Sequence, residues 1–441
     1  MTSAVSTSPR MLAEWNPEDP DTWQSSLAWR TLWTTTFSLM LGFMVWFMVS
    51  ALAPMLTGAE IITQSQAYWL AAMPGLAGGS LRLLWMFLPP ILGTRRMVIW
   101  STVALMFPML GWAWILTLPE PPFAGMMVLA FLTGIGGGVF SGYMPSTSYF
   151  FPKRKQGVAL ALQAGIGNFG VSVVQLVTPI LVTFAVFGGS VTYMRREVEV
   201  TVWMQTAPAV IIPLLVIALI LAAIVLKSVP IKANFRQQID IFGNKHTWFM
   251  TLLYILTFGI FSGLAGQFGN VLKDLFDVVP TVAWLGGTTI AFLGALIGSV
   301  SRVVWGPLCD RFGGGVWTLF AAFGIAASTI PVILALRDDV SGEKDLVNMG
   351  LFLLGMFFIF FFSGIGNAST FKQMPMIFPA RQAGGVIGWT AAIAAFGPFL
   401  FGVAFEQFSK SSVFTFVMVY ALGCAALTWY CYARPKAEAK G

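Results

Sequence analysis

One histidine, His246, and three cysteines, Cys309, Cys424 and Cys431, in 441 residues leave little from which to build a metal centre or a nucleophile–base pair. The cysteines lie in or beside apolar runs without metal-ligand spacing, so they read as small buried residues rather than a disulfide framework. His246 stands at the start of an apolar run and reads as a helix-end polar residue. Charge is scarce as well: only 10% of residues are charged. The 18 Asp and Glu all fall in tails, loops or the ends of apolar runs, with Glu406 the nearest to an exception. These absences exclude a metalloenzyme, a separate soluble catalytic domain and a sensor with an output domain. No enzymatic activity and no cofactor are expected. The formal net charge of +7 raises nucleic acid as a partner. The basic residues, however, are scattered through short loops and gather on no single face, so none is expected.

What is abundant is apolar sequence. Hydrophobic residues make up 57% of the chain, the mean hydropathy is +0.79, and apolar runs of about 20 residues recur along the whole length, as membrane-spanning helices require. The expected fold is an all-α polytopic membrane protein. Twelve transmembrane helices are expected over residues 31–55, 66–90, 96–117, 123–145, 156–185, 204–227, 246–270, 281–307, 316–336, 346–370, 384–407 and 412–433. They divide into an N-terminal six-helix bundle (31–227) and a C-terminal six-helix bundle (246–433), joined by a polar linker (228–245). Polar segments, 1–30 and 434–441, flank them; the first has the composition of a cytoplasmic tail, not of a cleavable signal.

Sidedness follows from Lys and Arg. With the N-terminus in the cytoplasm, 17 of the 25 fall on the cytoplasmic side and six outside (Arg195, Arg196, Lys273, Arg337, Lys344 and Lys410). That bias places both termini inside. The remaining two are Arg82 and Arg302, each within an apolar run and with no carboxylate near it in sequence. A charge at that depth costs roughly 3 kcal/mol on insertion scales and usually marks a function. Two fixed positive charges without internal counter-ions call for an anion from outside. Arginine suits this role: its guanidinium is a planar fork of donors and keeps its proton when buried.

An internal repeat relates the two halves. Phe151-Pro152-Lys153-Arg154-Lys155-Gln156-Gly157 recurs as Phe378-Pro379-Ala380-Arg381-Gln382-Ala383-Gly384, 227 residues later, and the same offset brings Phe169-Gly170 onto Phe396-Gly397. The fifth helix thus matches the eleventh, and Arg82 in the second stands six helices before Arg302 in the eighth. Parallel six-helix repeats with a site at mid-membrane between them are the layout of major facilitator carriers. The repeated stretch opens a helix with Gly157, Gly165, Gly167 and Gly170. Such residues let helix backbones approach closely, or bring backbone to a small ligand. Asn168, an amide within that helix, needs a partner and can donate to an oxyanion.

The stretch from Phe151 to Gly170 resembles the signature of the nitrate/nitrite porter family of the major facilitator superfamily. Trp15-Asn16-Pro17-Glu18-Asp19-Pro20 is similar to the family's N-terminal segment. Leu81-Arg82 and Arg302 match its two arginines, Asp310-Arg311-Phe312-Gly313-Gly314 matches the superfamily loop, and Gly384 through Gly397 is similar to the second signature. The resemblance implies that Arg82 and Arg302 bind the anion and that Asn168 donates to it. It further implies that Tyr254 contacts substrate, that Phe140 and Phe258 pack against the planar anion, and that Gly388 supplies a backbone contact.

The resemblance also implies a monomer in the bacterial cytoplasmic membrane that moves nitrate and nitrite by alternating access. Two bare arginines repel each other until an anion screens them, and no acid lies in the membrane interior, so nitrate/nitrite antiport is the expected mechanism. Nitrate or nitrite symport with protons, and carriage of another small anion, are the alternatives.

Overall fold

The computed structural model describes residues 11–12, 15–21, 23–195, 198–229, 240–276, 281–282, 288–336 and 346–439. Residues 1–10, most of the expected linker, and Arg10, Arg196, Lys232, Arg236, Arg337, Lys344 and Lys440 from the charge balance lie outside the described residues.

Twelve long helices form the body: α1 (Ser25–Gly58), α2 (Gln64–Trp85), α3 (Leu88–Ile115), α4 (Phe123–Ser148), α5 (Lys153–Leu181), α6 (Thr206–Val225), α7 (Lys245–Phe276), α8 (Phe292–Phe312), α9 (Gly314–Ala335), α10 (Val347–Ile377), α11 (Gln382–Gln407) and α12 (Lys410–Ala433). Eleven are long and apolar enough to cross a bilayer. The exception is α2. It carries Arg82 together with Ser65, Ser80, Gly75, Gly78 and Gly79, and it is shielded by helices of both halves. Large apolar side chains such as Trp100, Phe107, Trp114, Ile224 and Phe416 point outward into the surroundings, an arrangement suited to lipid rather than water.

Helix ends follow local chemistry. Thr63 and Gln66 form a reciprocal capping box at the start of α2, and Asn244 caps α7 through the amide of His246 at 3.0 Å. Prolines lie inside nine of the helical segments, among them Pro54, Pro74 and Pro108. Neighbouring helices make such prolines tolerable in membrane helices. At Gly93 the chain turns with φ +71°, a left-handed conformation that glycine adopts without strain.

Several expected boundaries shift: the first helix starts at Ser25 and not 31, the third at Leu88 and not 96, and the tenth runs to Ile377 and not 370. The eighth helix starts at Phe292 and not near 281, because Thr281–Val282 pairs antiparallel with Thr288–Thr289. The fifth ends at Leu181. Between it and α6 stands a hairpin of β1 (Val191–Arg195) and β2 (Val198–Val202), where runs of β-branched residues favour extended backbone.

Across the halves, α2 packs on α11, α5 on α8 and α1 on α7. The start of α1 and the tail after α12 share one face, here called the terminal face, where Lys245 is ion-paired with Glu438. The N-terminal segment is fastened there. The Trp15 indole donates to the carbonyl of Tyr149 at 3.0 Å, Trp23 to that of Phe150 at 2.9 Å, and the Lys153 amide donates to Glu18 at 2.8 Å.

At the opposite face a polar network joins the halves. Tyr68 Oη donates to Asp274 at 2.9 Å, and Lys410 is ion-paired with the same carboxylate. Ser65 donates to Glu406 at 2.7 Å, and the Asn270 side chain donates to the carbonyl of Ala67 at 3.2 Å.

Candidate anion-binding site

Arg82 is fully buried and Arg302 is 5% exposed. Arg82 lies near the end of α2, where its Nε donates to the carbonyl of Gly137 at 2.9 Å and its Nη1 to that of Ala391 at 2.8 Å. Gly137 sits in a glycine-rich interruption that divides α4 into Phe123–Thr133, Ile135–Gly138 and Phe140–Ser148. A Cβ at Gly137 would stand 2.6 Å from the Trp46 ring, so glycine is what admits both the indole and the guanidinium. Ala391 lies one turn before α11 breaks at Ala395–Phe396. The remaining terminal nitrogen, Nη2, is buried and has no hydrogen-bond partner.

Aromatic rings enclose this charge. The Arg82 guanidinium lies 4.6 Å from the ring centroid of Phe140, 5.1 Å from Phe258 and 5.2 Å from Trp46, all favourable cation–π distances. Arg302 lies 4.9 Å over Phe371 of α10, and its Nη1 is likewise buried without a partner. The two charges sit within electrostatic reach of each other and of Tyr254. A continuous ring path links them: Phe258 stacks on Tyr254 at 5.4 Å and 8°, and Tyr254 meets Phe371 at 5.2 Å. Across the halves Phe140 meets Phe371 edge-on at 6.3 Å. The Tyr254 hydroxyl faces Arg302 without closing a full hydrogen bond. Immediately after Tyr254, α7 widens into a π-helical turn, Ile255–Gly259, a feature often found at functional sites. It presents both rings of the pair inward.

Asn168, on α5, is buried with neither amide atom bonded. Gly388 lies one turn before Ala391 on α11, where an added Cβ would meet Met86 at 3.4 Å, an ordinary van der Waals contact. Gly165 and Gly167 face Val303 and Leu39, while Gly170 and Gly397 sit against the carbonyls of Met40 and Gly259. Gly157 and Gly384 stand exposed near helix starts, with open space where a Cβ would project.

Sequence reasoning did not single out Trp46, Phe371, Gly137 or Ala391. Phe371 lies two helices from Arg302 and reads as one more residue of an apolar run. The carbonyls of Gly137 and Ala391 have no side-chain signature at all. Chemically, the arrangement sets two buried positive charges, each with an unbonded terminal nitrogen, against aromatic rings. It suits a small planar anion.

The major facilitator superfamily model matches residues 35–402. A probable nitrate/nitrite antiporter, NarK2, of Thermus thermophilus is 51% identical over 97% of both chains. The chain belongs to the nitrate/nitrite porter family of the major facilitator superfamily. Other porters are more distant relatives: the nitrate/nitrite transporter NarU of Escherichia coli is 31% identical over 98% of both chains, and a nitrite extrusion protein of Bacillus subtilis is 28% identical over 89% of both. Among solved structures, a D-xylose–proton symporter superposes with a TM-score of 0.67 at 16% identity, covering 91% of this chain and 97% of that one. At that identity the likeness speaks to the porter's fold alone.

Proposed function

We propose that this porter exchanges nitrate for nitrite across a bacterial cytoplasmic membrane, as a monomer with both termini in the cytoplasm. The observation that carries the reading is the pair of buried guanidinium groups, each with an unbonded terminal nitrogen and each lying over aromatic rings. Nitrate is planar, and its oxygens match the guanidinium fork. Ring faces meet a planar anion over a larger area than they meet a sphere. The antiporter and transporter names of the relatives support the same substrates. The Lys and Arg bias supports the sidedness.

Exchange follows from the charges. Arg82 and Arg302 repel each other, and an anion between them removes that repulsion during the movement of the halves. The described residues offer two candidates for coupled protonation, and both are engaged elsewhere: His246 Nδ1 lies 2.9 Å from the Tyr432 hydroxyl on the terminal face, and Glu406 accepts from Ser65 on the opposite face. The test is nitrate flux into proteoliposomes loaded with nitrite, compared with unloaded ones, with and without a proton gradient. Uptake that needs internal anion and ignores the gradient is the expected result. Gradient-driven uptake into unloaded vesicles replaces exchange with proton symport.

A further inference from the structure

We propose that Asn367 is an additional anion-binding residue that favours nitrate over nitrite, an assignment that rests on the nitrate reading of the arginine site. Asn367 lies on α10, 1% exposed, and both Nδ2 and Oδ1 lack hydrogen-bond partners. A buried primary amide with neither group satisfied is costly, and such a group in a folded protein needs a reason.

Neighbours on α10 fix the direction of the side chain. Residues three, four or seven apart share a helix face. Seven residues before Asn367, Phe360 packs on Phe261 and Phe268 of α7 at 5.9 and 5.6 Å. Four residues after it, Phe371 packs on Tyr254 and lies beneath Arg302. Asn367 therefore sits on the inward stripe, one turn from the ring that supports the C-terminal arginine. Polar groups on another face of the same helix bond to α9: Ser369 and the Gln373 Nε2 both bond to Thr318.

The repeat sharpens the placement. Gly134-Ile135-Gly136 and Met144-Pro145 recur as Gly364-Ile365-Gly366 and Met374-Pro375, 230 residues later, so Asn367 corresponds to Gly137. Gly137 gives Arg82 a backbone acceptor. At the equivalent position the C-terminal half carries an amide instead, one turn from the ring under Arg302, whose Nη1 is unbonded. The amide oxygen can accept from Arg302, which turns Nδ2 toward the anion. Nitrate has one oxygen more than nitrite. Two guanidinium forks engage two oxygens well, and an extra donor gains most from the third. A site built to hydrogen-bond a group disfavours the analogue lacking it.

The experiment measures nitrate and nitrite affinity by calorimetry on purified full-length protein: wild type, Asn367→Ala and Asn367→Ser. Elution and melting are checked for each, so that loss of fold in one variant leaves the other as the test. The expected result is a nitrate affinity reduced roughly tenfold, with nitrite reduced less than about threefold. Equal loss for both anions, or none for either, in a well-folded variant overturns the assignment. Arg302→Lys serves as the control: if it leaves nitrate binding at the wild-type level, the nitrate reading of the site fails rather than the role of Asn367 alone.

Discussion

Arg82 of the N-terminal half donates through Nη1 to the carbonyl of Ala391 in the C-terminal half, 2.8 Å away. The same guanidinium is the group that an anion would seek. An anion that engages both terminal nitrogens of Arg82 would compete with this carbonyl for Nη1, and such competition would couple binding to separation of the halves. An anion that draws Nη1 from Ala391 releases a mid-membrane tie while it also neutralises the repulsion between the arginines. On the proposed exchange, both effects would favour the change of state in the loaded protein.

Arg82→Lys and Arg302→Lys keep the charge and lose the planar fork. Charge-assisted hydrogen bonds are worth about 1.5–3 kcal/mol, so each variant is expected to bind nitrate on the order of 10–100-fold more weakly. Calorimetric titration checks this, and wild-type affinity in either variant removes that residue from the site.

The network at the opposite face makes a separate prediction. Tyr68 donates to Asp274, which Lys410 also holds, so the bond spans α2 and α7 and clamps that face shut. In Tyr68→Phe the ring packing persists and the bond is lost. A loss of about 1 kcal/mol shifts the balance between states roughly fivefold. A cysteine placed at Ala71, one turn further in, should then react faster with an impermeant maleimide than in the parent protein. An unchanged rate means that the clamp does not hold that face.

How much of this was legible beforehand depends on the kind of group. The two arginines stood out because charge in an apolar run has no ordinary explanation, and the repeat related them before any coordinates. Tyr254, Phe140 and Phe258 needed the family resemblance, since 39 phenylalanines give no internal reason to prefer two. Ala391 was invisible, because its contribution is a carbonyl that a helix break on α11 leaves near Arg82. Trp46 reaches Arg82 from the preceding helix and Phe371 reaches Arg302 from two helices on, contacts that only the packing of the helices creates. The hairpin Val191–Val202 is signalled by its β-branched residues, a period-two pattern that apolar runs of helical length do not reveal.

The signature glycines divide by what surrounds them. A Cβ at Gly170 would stand 2.3 Å from the carbonyl of Met40, and one at Gly397 would stand 2.2 Å from that of Gly259. Backbone cannot yield as a flexible side chain can, so Gly170→Ala and Gly397→Ala are expected to lower membrane yield and melting temperature. Gly157→Ala meets open space and replaces a poor helix former, with a gain of about 0.5–1 kcal/mol. Thermal melting of the three purified variants separates the cases; a Gly170→Ala protein as stable as Gly157→Ala would contradict the packing argument.

Selectivity turns on the walls. Arg82 is held between Phe140 at 4.6 Å and Phe258 at 5.1 Å, and Phe258 is stacked on Tyr254 in nearly parallel planes. An anion that joins Arg82 would meet the faces of these rings. Charge alone cannot prefer nitrate to chloride, because both carry one negative charge and the guanidinium attracts either. The walls can: a planar ion meets ring faces over its whole area, whereas a sphere of similar charge touches them at points. Phe258→Ala removes one wall and one of the three cation–π contacts on Arg82, but none of the hydrogen-bond donors. Nitrate affinity should therefore fall modestly, by less than about tenfold given the worth of a buried cation–π contact, while chloride affinity holds or rises. Chloride competition against nitrate exchange in proteoliposomes reads the ratio directly. A ratio equal to wild type would assign the preference to the donors and not to the rings.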